Sequence, residues 1–178
     1  MNPIRSGCDT GQVKRQINPR INPQRIAPKP GQESVWDYPR PPRVEATSAR
    51  IVVRLDGAVI ADTTDAVRVL ETSHPPVYYL PRSAFTSLVP AVGTSFCEFK
   101  GEAHYLDVGS ARKAAWFYPN PSRGYEALVD RIAVYPSAMD SCSVDGEVVV
   151  PQEGDFYGGW ITSAIVGPFK GAAGTWGW

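Results

Sequence analysis

Apolar residues along this chain come in short bursts separated by turn residues, and two pairs of bursts read as hairpins. Ile51-Val52-Val53-Arg54-Leu55 and Ala58-Val59-Ile60-Ala61 flank Asp56-Gly57, a dipeptide that accepts positive φ and suits a tight reversal. Cys142-Ser143-Val144 and Glu147-Val148-Val149-Val150 flank Asp145-Gly146 in the same way. Further strands are expected over residues 77–80, 95–100, 103–108, 114–118 and 132–135. Two short helical turns are expected as well. One covers residues 84–89 behind a Ser83 cap, and the other covers 125–130 behind Ser122, with Tyr125, Leu128 and Val129 facing inward. Seventeen prolines and sixteen glycines exclude long helices. Three Tyr-Pro steps, beginning at Tyr38, Tyr118 and Tyr135, should end strands and are candidates for cis bonds. The fold class expected is mainly β, with antiparallel sheets and one or two helical turns.

Residues 1–33 break this pattern. Ile17-Asn18-Pro19 is echoed by Ile21-Asn22-Pro23 amid Gln and Arg, with almost no clustered apolar surface. Such a stretch cannot offset its ordering entropy by burial, so it is expected to be a disordered tail ahead of a single β-rich domain over residues 34–178. Overall charge is balanced, with 18 basic and 18 acidic residues. The tail nevertheless carries Arg5, Lys14, Arg15, Arg20, Arg25 and Lys29 against Asp9 and Glu33, leaving a mildly acidic body. Six scattered charges are too sparse to predict nucleic-acid or membrane binding, although an interaction module working through the tail is one function class to weigh.

At 178 residues, with 43% hydrophobic and 20% charged residues, the chain suits one globular domain and neither a disordered nor a membrane protein. The three cysteines, Cys8, Cys97 and Cys142, include no C-x-x-C pair, which argues against a disulfide framework and a structural zinc site. No apolar run resembles a secretory signal or a membrane span. A reducing cytoplasm is the expected location.

Known catalytic signatures are absent: no glycine-rich dinucleotide loop after a strand, no Walker loop, no nucleophile elbow, no zinc-protease helix. Two histidines, His74 and His104, cannot make a multi-histidine metal site, and neither metal nor cofactor is expected. The densest chemistry lies in Glu71-Thr72-Ser73-His74-Pro75-Pro76-Val77-Tyr78-Tyr79. Pro75 keeps His74 extended, so its imidazole either caps a loop or is held for binding or proton transfer. In Phe96-Cys97-Glu98-Phe99-Lys100-Gly101, a strand would put Phe96, Glu98 and Lys100 on one face and Cys97 with Phe99 on the other. Glu98 and Lys100 would then pair, on a surface or in a pocket. Cys97 reads as a small buried thiol ahead of a nucleophile. Trp116, Tyr118, Tyr135, Phe156, Tyr157, Trp160 and Phe169 must mostly be core, with some of their polar tips lining a cleft. Gly158-Gly159 permits close backbone approach. The end of the chain, Gly167-Pro168-Phe169-Lys170-Gly171 through Trp178, is expected to dock back on the body as a strap.

Taken in order, Trp36-Asp37-Tyr38-Pro39-Arg40-Pro41-Pro42, Glu71-Thr72-Ser73-His74-Pro75-Pro76, Cys97-Glu98-Phe99-Lys100-Gly101, Ala115-Trp116-Phe117-Tyr118 and Phe156-Tyr157-Gly158-Gly159-Trp160-Ile161-Thr162 resemble a family of bacterial and fungal domains of unknown function, numbered four-two-seven. The resemblance spans about residues 34–178. It implies a β-tent-like fold similar to the methionine sulfoxide reductase B and cereblon ligand-binding domains, here in a metal-free version because the paired zinc-binding cysteines are missing. It also implies a ligand caged by aromatics between two sheets, with His74, Tyr78, Tyr79, Glu98, Lys100, Trp116, Tyr118 and Tyr135 as candidates. The family has carried a nucleotidyltransferase label, yet Gly109-Ser110 is not followed by the carboxylate pair that would hold magnesium. Two classes therefore lead. One is a binding domain for an unidentified small molecule, using Tyr78, Tyr79, Trp116, Tyr118 and Tyr135. The other is an enzyme in the same pocket, with His74 or Glu98 as general base, Lys100 stabilising negative charge and Cys97 as an alternative nucleophile.

Overall fold

Short alternating segments separated by glycine and proline build strands, and the helical elements among the described residues are short 3-10 turns. The computed structural model describes residues 24–154, 156–175 and 177–178. Fifteen strands follow in chain order: β1 Glu33–Ser34, β2 Arg43–Thr47, β3 Ile51–Leu55, β4 Ala58–Thr63, β5 Ala66–Leu70, β6 Val77–Pro81, β7 Leu88–Cys97, β8 Gly101–Val108, β9 Ala111–Phe117, β10 Arg131–Val134, β11 Ser141–Val144, β12 Glu147–Val148, β13 Val150–Pro151, β14 Trp160–Ile161 and β15 Ile165–Val166. The fold is mainly β, as expected. A seven-stranded sheet runs in the order β2-β5-β6-β10-β9-β8-β7, and a four-stranded sheet in the order β12-β11-β3-β4. Their adjacent strands are antiparallel throughout.

Both predicted hairpins form. β3 pairs with β4 across Asp56-Gly57, and β11 with β12 across Asp145-Gly146. Asp56, Gly57, Asp145 and Gly146 all take positive φ, as a two-residue reversal between twisted strands requires. Strands β2 and β5 went unpredicted. Each is short, and an arginine or glutamate interrupts its apolar positions.

Three local expectations are corrected. Residues 84–89 do not form a helical turn: a 3-10 turn covers Arg82–Ala84, and Leu88 already opens β7. Pro90 would have cost a helix a donor, but β7 is an edge strand with β8 as its one neighbour, where a missing N–H is tolerated. Second, the strand expected over residues 95–100 stops at Cys97. Cys97 pairs with Gly101, so Glu98, Phe99 and Lys100 form the reversal, and Gly101 supplies its positive φ of 95°. Third, the turn near Tyr125 is only Glu126–Leu128. Tyr125 and Leu128 are buried, whereas Val129 is exposed. The cis bonds among the described residues are at Arg40-Pro41 and Gly167-Pro168 rather than at the Tyr-Pro steps.

Alternation gives the seven-stranded sheet two different faces. Tyr78, Leu80, Leu106, Val108, Ala115, Ile132 and Val134 pack against Ile51, Val53, Ile60 and Cys142 of the smaller sheet in one continuous core. Val67, Val69, Tyr79, Ala103, Trp116, Tyr118 and Ala133 point the other way and form a second, aromatic-rich cluster. The space between the sheets is therefore filled. A pocket between the sheets, as expected from sequence, is not where this structure opens; its cavity lies on the outer face of the larger sheet.

Residues 1–23, and with them most of the expected basic tail, lie outside the described residues. Residues 26–33 run along the far end of the chain. The Ile26 amide donates to the Gly167 carbonyl at 3.0 Å, Gln32 Nε2 to the Ser163 carbonyl at 2.7 Å, and β1 pairs in parallel with β15. Glu33 joins a network in which Arg68 Nη2 lies 2.8 Å from Glu33 Oε1 and Arg68 also reaches Glu45. Among the described residues no helix is long and apolar enough to cross a membrane.

Candidate functional site

A cavity of about 310 Å³ lies against the outer face of the seven-stranded sheet. Its floor is laid by sheet residues of one parity: Val69, Val77, Tyr79, Ala103, Tyr105 and Trp116, with Tyr118 and Tyr135 just past the ends of β9 and β10. Four segments distant in sequence raise its walls: Arg40, the loop from Glu71 to Pro75, the turn from Cys97 to Lys100, and the strap that carries Gln152, Phe156, Tyr157, Gly158 and Lys170.

The strap is held by buried polar contacts. Gln152, 4% exposed, accepts the Gly159 amide on Oε1 at 3.2 Å and donates from Nε2 to the Lys170 carbonyl at 2.6 Å. The amides of Trp160 and Lys170 donate to the carbonyls of Pro76 and Ser73, each at 2.9 Å. Gly158 lies so close over the Trp116 ring that a Cβ there would collide with it. Glycine is the residue that lets the strap lie on the indole. The docking of the chain's end agrees with expectation, and Trp178 packs edge-on against Trp36 with centroids 5.7 Å apart.

The aromatic floor is closely packed. Trp116 Nε1 donates to the Tyr79 hydroxyl at 3.1 Å, and Trp116 packs on Tyr135 with centroids 4.5 Å apart. Burial pushes the Tyr79 and Tyr118 hydroxyls well above the usual phenol range, with each other and Cys97 as neighbours. Burial, with Tyr105 beside it, does the same for Tyr135. All three remain neutral hydrogen-bonding groups at physiological pH.

Of the eight site residues expected from sequence, seven line this cavity: His74, Tyr79, Glu98, Lys100, Trp116, Tyr118 and Tyr135. Tyr78 does not. One residue from Tyr79 on a strand, it faces the inter-sheet core and packs on Trp160 with centroids 5.1 Å apart. The expected Glu98–Lys100 ion pair is also absent, because the two residues sit in a reversal instead of on one strand face. Glu98, at the exposed rim, pairs with Arg40 Nη2 at 2.8 Å, while Arg40 Nη1 reaches Glu71 at 3.3 Å. The Arg40 guanidinium also lies 5.3 Å from the centre of the Phe99 ring. Lys100 is buried, with 9% exposure.

His74 Nδ1 lies 2.9 Å from the Thr72 carbonyl. A carbonyl only accepts, so Nδ1 carries the hydrogen, and in the neutral ring Nε2 is the basic nitrogen. Nε2 has no hydrogen-bond partner among the described residues. The ring packs against Tyr157 with centroids 5.0 Å apart. Burial holds the His74 pKa below its ordinary value, and the nearby Lys170 and Arg40 act in the same direction against Thr72 and Glu71. The native state thus binds this proton less well than the unfolded chain does. Stability should be fully present above about pH 6.5 and should fall as the pH drops below it. Urea unfolding at pH 7.5 and 5.5 should show a smaller acid loss in His74→Gln than in the parent; equal losses would reject the assignment.

Lining residues outside the sequence-based site include Arg40, Glu71, Tyr105, Tyr157 and Lys170. Arg40, Glu71, Tyr157 and Lys170 lie in segments already singled out, but nothing in residue spacing brings these segments to one wall. Burial lowers the Lys170 pKa, with Arg40 adding to it and Glu71 opposing. Cys97 is half-buried beside this wall, whereas burial pushes the Cys142 thiol up to about 12. Among the described residues, no three His, Cys, Asp or Glu side chains gather as a metal site would require.

The structure so far defines a mainly β domain with a filled inter-sheet core and an aromatic cluster on the outer face of its larger sheet. By sequence it belongs to the family described as a domain of unknown function (DUF427), whose model matches residues 43–145, more than half of the chain. His74, Glu98, Lys100 and the aromatic floor lie within the match, while Arg40 and the strap lie outside it. No curated protein matches the chain.

Proposed function

We propose that the domain binds a small organic molecule in the cavity on the outer face of the seven-stranded sheet. The observation that carries this reading is the cavity itself, about 310 Å³, with an aromatic floor and a few convergent polar groups. That volume is at the lower end of the range for small-molecule sites, and such sites combine apolar walls with a small number of placed polar groups. The binding unit is taken as residues 34–178. The free thiols Cys97 and Cys142 are compatible with a reducing, cytoplasmic setting. Thermal unfolding against a library of metabolites of mixed charge tests the proposal. Binders should raise the midpoint in proportion to concentration over affinity, and Tyr79→Ala should lose the shift. If no compound moves the midpoint, the reading fails.

A second reading, catalysis in the same cavity, is favoured by one observation: the unpartnered Nε2 of a neutral His74. In that case His74 is the general base and Lys100 faces developing negative charge. Glu98 is the weaker base candidate, since Arg40 holds it at the exposed rim. For any bound compound that is turned over, His74→Gln should keep binding and lose turnover.

A further inference from the structure

We infer that the ligand of this cavity is an organic anion with a flat, aromatic body; the inference rests on the binding role proposed above. Its starting point is Lys100. This side chain is largely covered, with 9% of the residue exposed, and lines the cavity; its ammonium keeps access to solvent and makes no ion pair or side-chain hydrogen bond among the described residues. An ammonium on a largely apolar cavity wall has lost part of its hydration, and a counter-charge or acceptors from a guest would replace it. The carboxylates that might have served it are already engaged, because Arg40 bridges Glu71 and Glu98.

Lys170, on the strap, adds a further cation to the lining. Its Nζ donates to the main-chain oxygen of Trp178 at 2.8 Å and lies 6.0 Å from the centre of the Tyr157 ring. The described lining thus holds three cations, Arg40, Lys100 and Lys170, against two carboxylates, with His74 neutral. A cationic guest, the usual occupant of an aromatic cage, would meet like charge here. An anionic head group would supply the counter-charge that Lys100 lacks.

The rest of the guest is described by the floor. Phe99, Tyr105, Tyr135 and Tyr157 keep part of their rings exposed in the lining, over the buried Tyr79, Trp116 and Tyr118, and aromatic surfaces of this kind pack best against another flat apolar body. The shared chemistry is therefore a planar ring system bearing a carboxylate or a comparable anionic group.

Three probes with one ring system and different charges test this: indole-3-acetate, indole-3-acetamide and tryptamine, titrated calorimetrically into the whole chain. The acid should bind about tenfold or more tighter than the amide, the scale of a hydrogen bond to a charged partner, and tryptamine should not bind measurably. Lys100→Met should bring the acid to the level of the amide, and Lys100→Arg should restore the preference. Lys170→Gln, on the strap, is the second variant and should also narrow the gap. Equal affinity for acid and amide, a preference for tryptamine, or an undiminished acid preference in Lys100→Met and Lys170→Gln would each overturn the inference. If neutral compounds from the library bind while all three probes fail, the anion inference falls and the binding role stands. If nothing binds at all, both fall.

Discussion

Trp116→Ala should lower the unfolding free energy by about 3–5 kcal/mol, the usual cost of deleting a buried indole. Trp116 is 8% exposed and contacts three different parts of the molecule. It stacks on Tyr135, donates to the Tyr79 hydroxyl, and supports the backbone of Gly158 in the strap. Truncation leaves a void under the strap and takes one partner from a buried hydroxyl, so transfer and hydrogen-bond penalties add. Urea unfolding should show the loss as a fall in midpoint with little change in slope. Trp116→Phe, which keeps a ring but not the N–H, should lose much less. If Trp116→Ala proves nearly neutral, the cluster on the outer face is not a packed element.

Leu80→Ala should be as damaging to stability, about 2–5 kcal/mol, for a different reason and with a different functional consequence. Leu80 is fully buried between the two sheets, one residue along β6 from Tyr79. Its methyl groups belong to the core that holds the smaller sheet to the larger one. The cavity is on the opposite face, so Leu80→Ala protein that remains folded at low temperature should keep the ligand affinity of the parent. Trp116→Ala should not. Measuring stability and binding on both variants separates the two faces, and parallel losses of affinity would show that they are one unit.

Much of the local structure was legible because its causes are local. Asp56-Gly57 and Asp145-Gly146 mark their hairpins through residues that tolerate positive φ, whatever surrounds them. The strands near Val77 and Ile132 announce themselves by β-branched and aromatic runs. Expectations failed where a partner strand decided the outcome. Pro90 sits comfortably in β7 only because that strand is an edge, and residues 98–100 turn only because Cys97 finds Gly101 across the hairpin. Tyr78 and Tyr79 are indistinguishable in sequence, yet they serve opposite faces of one sheet.

The candidate site divides along the same line. His74, Glu98, Lys100 and most of the aromatic floor could be chosen from residue chemistry and resemblance. Arg40, Glu71, Tyr157 and Lys170 stood in quoted segments without being selected, because only the closed chain brings them to one wall, and the same closure ties Glu98 to Arg40 and leaves Lys100 without a carboxylate among the described residues.

By itself the sequence determined the β-rich character, the two tight hairpins and a set of chemically able side chains. Each of these depends on interactions within a few residues, where backbone sterics and alternation leave little choice. The tertiary structure alone decided which sheet face is solid core and which borders a cavity, and which charges neutralise one another there. Those outcomes depend on contacts between residues dozens to more than a hundred positions apart, such as Lys170 with Ser73, and strand pairing sets them only when the whole chain has closed.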